Sequence, residues 1–197
     1  MKPNRRTHTI AGFTLVELMV TLAIATIVMT TAVPSFSTMI QNNSLATQTN
    51  SLVTDINLAR SEAIKRGVRV ILCRSADPNA ATPVCGGGAN TWTTGWLVFA
   101  SGDTNSTYTA GTDTLIRISK PSGSSITIKT NSTSNNNLEY NSNGTTNEGG
   151  GTALFAVCDD RDEEYGRQIQ VDPRGRPRLI TGTTATPLTN CTSPSAM

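Results

Sequence analysis

The residues best suited to bind a charged ligand are arginines near the C-terminus of the 197-residue chain. Twelve residues with a single acid, Asp172, contain Arg167, Arg174, Arg176 and Arg178. Pro173 and Pro177 restrict the backbone, so we expect an extended segment whose guanidinium groups project separately. Because guanidinium forks match phosphate oxygens bidentately, the segment is a candidate phosphate-binding site. The alternative is an exposed arginine run that forms only a solvated edge.

An acidic run precedes these arginines, and it consists of Asp159, Asp160, Asp162, Glu163 and Glu164. Clustered carboxylates at a flexible turn can chelate Ca²⁺, but the spacing departs from the known loop D-x-[DN]-x-[DN]-G. A solvated hairpin turn is therefore the better interpretation. The sequence predicts no metal site and no cofactor.

The sequence lacks the residue patterns that enzymes commonly use for catalysis. The single histidine, His8, lies before the apolar N-terminal segment, and the serines do not occur in a G-x-S-x-G elbow. The glycine runs at 86–88 and 149–151 lack the lysine and the following helix of a phosphate loop. The sequence therefore predicts a protein that is not an enzyme.

Four cysteines without a C-x-x-C pair indicate disulfides in an exported chain: Cys73, Cys85, Cys158 and Cys191. Three pairings are open. We favour Cys73 with Cys85, which closes a short loop, and Cys158 with Cys191, which ties down the C-terminal tail. Buried free thiols are the alternative.

The segment that indicates the cellular location of the chain is an apolar run from Phe13 to Val33, which contains one charge, Glu17. As a helix, these residues span roughly 30 Å, the thickness of a bilayer core. The cations before the run are Lys2, Arg5 and Arg6. By the positive-inside rule they stay cytoplasmic and send the rest of the chain outward. Removing these three from the 16 basic residues leaves 13 against 14 acidic residues, so any nucleic-acid binding requires a local patch.

The helix is predicted to continue past Pro34, where a kink is favoured, to residue 66. Apolar residues after Pro34 recur at steps of 7, 4, 3 and 4, the spacing of one helical face: Leu45, Leu52, Ile56, Ala59 and Ala63. The charged residues Asp55, Arg60, Glu62 and Lys65 fall off this stripe. Gly67 is suited to end the helix. We therefore predict one helix, residues 13–66, whose second half packs on a globular domain.

After Gly67 the pattern changes to short segments rich in β-branched and aromatic residues, separated by Gly, Asn, Asp and Pro. Strands are predicted at 68–74, 95–100, 114–119, 125–130, 152–158 and 167–171. An α+β fold follows, in which the long N-terminal helix packs on a small antiparallel sheet.

The N-terminal junction KPNRRTHTIAG followed by FTLVEL resembles the leader and cleavage site of type IV prepilins and type II secretion pseudopilins. The resemblance implies cleavage after Gly12 by a prepilin peptidase and N-methylation of the new terminal Phe13. A carboxylate inside a lipid-spanning helix is costly and needs a partner. The new amine of Phe13 on a neighbouring subunit can supply one for Glu17; a water-reached glutamate near the membrane surface is the alternative.

Further stretches, ARSEAIKRG, TGWLVFASGD, DTLIRI, LEYNSNG and RGRPR, resemble the FimT and FimU minor pilins and the H pseudopilin of type II secretion. The resemblance implies a helix with small β-sheets packed against it. It also implies four segments: a leader at 1–12, a transmembrane and assembly helix at 13–34, an amphipathic helix at 35–66 and a pilin head at 67–197. In FimT-type pilins a G-R-x-R motif is associated with DNA binding during natural transformation, and Gly175, Arg176, Pro177 and Arg178 match it.

The resulting hypothesis is a minor type IV pilin with an inner-membrane anchor and a periplasmic head, which is then incorporated into a fibre. Its expected partners are prepilin peptidase, other pilins, inner-membrane lipid and double-stranded DNA without sequence preference. FimU-like relatives carry similar arginines for assembly, so DNA binding and assembly both remain open. The alternative apparatus is a type II secretion system, in which the chain is the minor pseudopilin H.

Overall fold

A computed structural model describes residues 12–86, 92–121, 126–131, 136–147, 150–161 and 165–181. Cys191, with its predicted bond to Cys158, lies outside these residues, as do the leader before Gly12 and the acids at 162–164. The chain divides into two units, Met1–Ile40 and Gln41–Met197.

Helix α1, Leu15–Arg66, contributes to both units. It begins two residues later than predicted because the Thr14 hydroxyl accepts the Glu17 N–H at 3.2 Å, which makes Thr14 the N-cap. In the first unit, Thr21 and Thr26 donate their hydroxyls to carbonyls of the preceding turn, and the large apolar side chains are exposed. By length and composition, α1 is long and apolar enough to cross a membrane.

In the second unit the predicted apolar stripe of α1 is fully buried: Leu45, Leu52, Ile56, Ala59 and Ala63. Gly67 ends the helix with φ +67° and an N–H that donates to the Ala63 carbonyl. One expectation about this helix is wrong. Asp55, predicted off the stripe, is also fully buried. It follows Leu52 by three residues and precedes Ala59 by four, so it borders the buried face of the helix. Its Oδ2 accepts the Trp96 indole N–H at 2.8 Å, and its Oδ1 lies 3.0 Å from the Arg117 Nε.

The strands that follow are β1 (Val70–Arg74), β2 (Trp96–Ala100), β3 (Thr114–Ser119), β4 (Thr127–Thr130), β5 (Asn137–Tyr140), β6 (Ala153–Cys158), β7 (Arg167–Val171) and β8 (Pro177–Thr181). They form two four-stranded antiparallel sheets with the orders β3-β2-β1-β5 and β4-β6-β7-β8. The α+β class is therefore confirmed. The strand pattern had indicated a single sheet, and it missed β5 and β8.

One apolar cluster joins the second half of α1 to both sheets. Leu52 and Ile56 of the helix pack in it with Val98 of the first sheet and Phe155 and Ile169 of the second. At roughly 1.5 to 3 kcal/mol for each large apolar side chain removed from water, this cluster is the main contribution to the stability of the second unit.

The first sheet buries its other face as well. Ile71, Leu97 and Phe99 form a second cluster with Cys73, and loop residues Cys85 and Tyr108 pack against it. A disulfide joins Cys73 to Cys85, with the Cα atoms 5.6 Å apart, as the sequence favoured. The disulfide therefore attaches a loop that covers the outer face of the sheet.

Candidate functional site

The C-terminal arginines lie on a β-hairpin made of β7, a turn at residues 172–176 and β8; we call residues 172–176 the arginine turn. Inside it, the Gly175 N–H donates to the Asp172 carbonyl at 2.8 Å and the Arg176 N–H donates to Asp172 Oδ1 at 3.0 Å. The expectation of an extended segment is wrong here. The chain reverses direction because Asp172 accepts both amides and Gly175 adopts a φ of +77°.

Three of the four predicted arginines share the turn end of the hairpin. Arg174 and Arg176 are exposed on the turn, and Arg178 is exposed at the start of β8. Arg167 is half-buried at the opposite end of β7, where it pairs in register with Thr181. Val171 pairs with Pro177, so alternation places Arg167 and Arg178 on opposite faces of the sheet. The structure therefore brings together the arginines of the turn and leaves Arg167 apart.

The arginine turn rests on residues from α1, from β5 and from the loop that follows β5. Three consecutive carbonyls of the turn each accept one hydrogen bond from this support. The Pro173 carbonyl accepts the Thr146 N–H at 3.1 Å. The Arg174 carbonyl accepts Arg60 Nη2 at 3.2 Å, and the Gly175 carbonyl accepts the Tyr140 hydroxyl at 3.2 Å. We call Arg60, Tyr140, Gly144 and Thr146 the socket.

Gly175, the glycine of the G-R-x-R match, is buried against this socket. A Cβ at this position would lie 2.8 Å from Tyr140 Cε1 and 3.3 Å from Arg60 Nε, and closer still to the Gly144 carbonyl oxygen. The left-handed φ independently favours glycine. Gly175 therefore has a structural role, because a residue with a Cβ could not lie this close to the socket.

The socket residues were not identified from the sequence as parts of a site. Arg60 had been assigned to the polar face of α1, yet its Nε donates to the Gly144 carbonyl at 3.1 Å. The available signal was that ARSEAIKRG, LEYNSNG and RGRPR all carry the pilin resemblance. In the structure, residues of these three stretches are in mutual contact.

The nearby acid of the helix, Glu62, does not compete with the two carbonyls for the Arg60 guanidinium. Glu62 pairs instead with Arg66 at 2.6 Å and with Lys65 at 3.6 Å. The hydrogen bond from Arg66 holds the pKa of the Glu62 carboxyl below its ordinary value, an effect that burial opposes and Lys65 reinforces. Among the described residues, no carboxylate forms an ion pair with Arg60.

The other predicted site residues belong to other segments of the chain. Gly12, Phe13 and Glu17 are exposed in the first unit. In the acidic run, Asp159 pairs with Arg161, whose guanidinium also lies 4.5 Å from the centre of the Tyr165 ring. The part of the chain that the structure describes contains no group of three or more side chains arranged to hold a metal ion.

Two family models match the chain. The model of type II transport protein GspH matches residues 48–194, and the prokaryotic N-terminal methylation motif matches residues 8–33. No curated protein sequence gives a significant match.

Two solved structures share the fold, both of the type IV minor pilin FimU of Pseudomonas aeruginosa strain PAO1. The P65 crystal form is 18% identical with a TM-score of 0.55, and covers 75% of this chain and 100% of the solved chain. The P21 form is 19% identical with a TM-score of 0.57, and covers 78% and 99%. The fold and family are those of structural pilins rather than enzymes. The GspH model matches most of the length of this chain, and the chain therefore belongs to the GspH family, as a minor-pilin or pseudopilin-like protein with an N-terminal methylation motif.

Proposed function

We propose that this protein is a minor type IV pilin, cleaved after Gly12, methylated at Phe13 and anchored in the inner membrane with a periplasmic head before it enters a pilus. The observation that carries the proposal is the methylation motif at residues 8–33, which continues into a helix long and apolar enough to cross a membrane. Lys2, Arg5 and Arg6 before the helix favour the proposed orientation.

Mass spectrometry of membrane-extracted protein tests the processing. The mature chain is expected to lack residues 1–12 and to carry one methyl group on the Phe13 amine. Replacing Gly12 with a bulky residue should leave the precursor in the inner membrane. A mature N-terminus beyond Val33 would contradict the proposed anchor, since the apolar segment would then have been removed.

Glu17 is proposed to guide docking in the fibre. Four residues of helix correspond to about 6 Å, so the carboxylate lies just inside the apolar part of α1. Removal of the leader creates a cationic amine at Phe13, and the amine of one subunit can neutralise Glu17 of the next in a bundle of parallel helices. This pairing would fix the axial register of neighbouring pilins.

We further propose that Arg174, Arg176 and Arg178 bind double-stranded DNA without reading its sequence, in support of natural transformation. The three guanidinium groups lie at one end of a hairpin and are exposed. Among the described residues, no carboxylate forms an ion pair with any of them, and Asp172 directs one oxygen to a backbone N–H. Exposed guanidinium groups without a carboxylate ion pair are available to bind phosphate oxygens.

Binding should be measured on the processed full chain in a neutral detergent, with duplexes of unrelated sequence and increasing salt. Affinities should be similar across sequences, because phosphate contacts position a protein without reading bases. With two to four phosphates neutralised, log K should fall against log salt with a slope between about −2 and −4. The double change Arg176→Gln/Arg178→Gln should reduce the steepness by about 2.

The matched control is Lys65→Gln/Lys120→Gln, which removes two exposed charges that are not part of the hairpin and should change the slope little. If the wild-type protein does not bind at low salt, or the arginine double variant binds equally well, the hairpin is an assembly surface or a solvated edge. The proposal then reduces to a structural minor pilin.

The family model supports a second candidate, the minor pseudopilin H of a type II secretion system, in which the exposed surface contacts a secreted protein or another pseudopilin. Deletion of the gene in its own bacterium distinguishes the two. A minor pilin predicts loss of pili with intact protein secretion, whereas a pseudopilin predicts the reverse.

A further inference from the structure

We propose that Arg60 is a positioning residue for the arginine turn: it connects α1 to the turn and fixes the backbone that presents Arg174 and Arg176. The contribution to DNA affinity rests on the DNA binding proposed above. Whether Arg60 fixes the backbone of the turn is measured separately from DNA binding, by amide hydrogen exchange.

Arg60 is suited to this role because its guanidinium reaches two loops at once. Its Nε donates to the Gly144 carbonyl at 3.1 Å, and its Nη2 donates to the Arg174 carbonyl at 3.2 Å. These acceptors lie 84 and 114 residues further along the chain. The planar fork of an arginine holds such a pair of acceptors in fixed directions, which the single point charge of a lysine does not.

The other bonds of the socket act on the same short piece of backbone. Thr146 binds the carbonyl before the one held by Arg60, and Tyr140 binds the carbonyl after it. The carbonyls of residues 173, 174 and 175 are thereby all directed into the socket. While the backbone is held by the socket, the residues Arg174 and Arg176 remain exposed.

Positioning matters for binding because free arginines lose side-chain and loop entropy when they contact a phosphate backbone. A turn that is already fixed avoids the part of this cost that concerns the loop. Arg60 also adds a half-buried positive charge beneath the turn, so loss of position and loss of charge must be separated. The chain offers the variants that do so.

The test uses the processed full chain in neutral detergent and two readouts: amide hydrogen exchange of peptides covering 172–178, and affinity for duplex DNA. Arg60→Met keeps the aliphatic stem and removes the donors and the charge. Lys65→Met is the charge control, since Lys65 is exposed on the same helix and its ion pair is with Glu62. Arg60→Lys keeps the charge but not the fork.

In Arg60→Met we expect exchange of the Gly175 and Arg176 amides to accelerate by about tenfold or more, since both donate inside the turn. Peptides of β1 and β6 should exchange as in the wild type, which shows that the fold is intact. DNA affinity should fall by about tenfold with the salt slope retained, because the same phosphates are contacted after a costlier ordering step. Arg60→Lys should recover part of both effects, and Lys65→Met should show neither.

Arg60→Lys provides the second variant if Arg60→Met does not fold, because it removes the planar fork and retains the charge. It should accelerate exchange in the same peptides, by less than Arg60→Met. Wild-type exchange of 172–178 in Arg60→Met, or in Arg60→Lys if that variant is used, overturns the proposal whatever happens to DNA binding. Faster exchange with unchanged affinity in Arg60→Met, while Arg176→Gln/Arg178→Gln loses binding, overturns the link to DNA and leaves DNA binding standing. Faster exchange in a protein that does not bind DNA refutes the proposed DNA function and supports the positioning.

Discussion

Gly175 leaves no room for a side chain between the arginine turn and its socket, so Gly175→Ala is a sharp perturbation of the site. The new Cβ would meet Tyr140 Cε1 at 2.8 Å and Arg60 Nε at 3.3 Å, and would overlap the Gly144 carbonyl oxygen. Two of these contacts are with groups that cannot withdraw easily, a backbone carbonyl and a buried ring. The turn must therefore move out of the socket.

The expected cost follows from two contributions. A left-handed φ costs an alanine about 1 to 2 kcal/mol. Moving the turn breaks or lengthens the three hydrogen bonds to its carbonyls, each worth about 0.5 to 1.5 kcal/mol. Allowing for partial relaxation, we expect a loss of about 3 kcal/mol in the free energy of unfolding. With an m-value of about 2 kcal/mol/M, the urea midpoint should fall by about 1.5 M.

Gly111→Ala is the matched control, because Gly111 has a φ of +90° and no atom within 4 Å of its added Cβ. It should show the backbone strain alone, a shift of about 0.5 to 1 M. Urea unfolding of a fragment that begins at Gln41, followed by circular dichroism, measures both variants. Equal midpoint shifts in the two alanine variants would refute the claim that Gly175 is required for contact with the socket.

Three further perturbations test the anchor, the disulfide and the buried acid. Glu17→Ala should still insert in the membrane, since it removes an unfavourable charge from lipid, but should lower incorporation into sheared fibres on immunoblots. Cys73→Ser/Cys85→Ser should destabilise the fragment by about 3 kcal/mol in urea, from loop-closure entropy over a sequence separation of 12. Asp55→Ala should cost about 2 to 4 kcal/mol, because it leaves the buried Trp96 indole N–H without its acceptor.

Controls for these variants come from the same elements. Thr21→Ala changes a polar side chain of the apolar segment that already bonds to its own helix, and it should leave fibre incorporation unchanged. Asn57→Ala alters an exposed residue beside Asp55 and should stay within about 0.5 kcal/mol of the wild type. Normal incorporation of Glu17→Ala would show that the charge pair does not guide docking. A stability of Asp55→Ala equal to that of Asn57→Ala would show that the buried acid is dispensable.

Short-range patterns account for what the sequence by itself determined. Apolar steps of three and four residues identified the buried stripe of α1, and Gly67 marked its end, because both depend on contacts within one or two helical turns. Six of the eight strands were predicted from β-branched and aromatic runs. The two missed strands, NLEY at β5 and PRLIT at β8, begin with Asn and Pro, which are disfavoured in strands, and they depend on their neighbours in the sheets.

The tertiary structure decided the features whose partners are distant in the chain. The buried carboxylate of Asp55 accepts a hydrogen bond from the indole of Trp96, 41 residues away, and helix periodicity carries no information about that donor. The division of the strands between two sheets was also not predicted. Strand pairing depends on contacts between distant segments, and a short apolar run does not indicate which strand it will pair with. Sequence spacing singled out the C-terminal arginines as candidates, but it did not indicate that Arg60 bonds to the turn that carries them, because the acceptors of Arg60 lie 84 and 114 residues away. Hydrogen bonds over such separations exist only once the helix, β5 and the hairpin have packed together, so only the folded structure assigns Arg60 to the site.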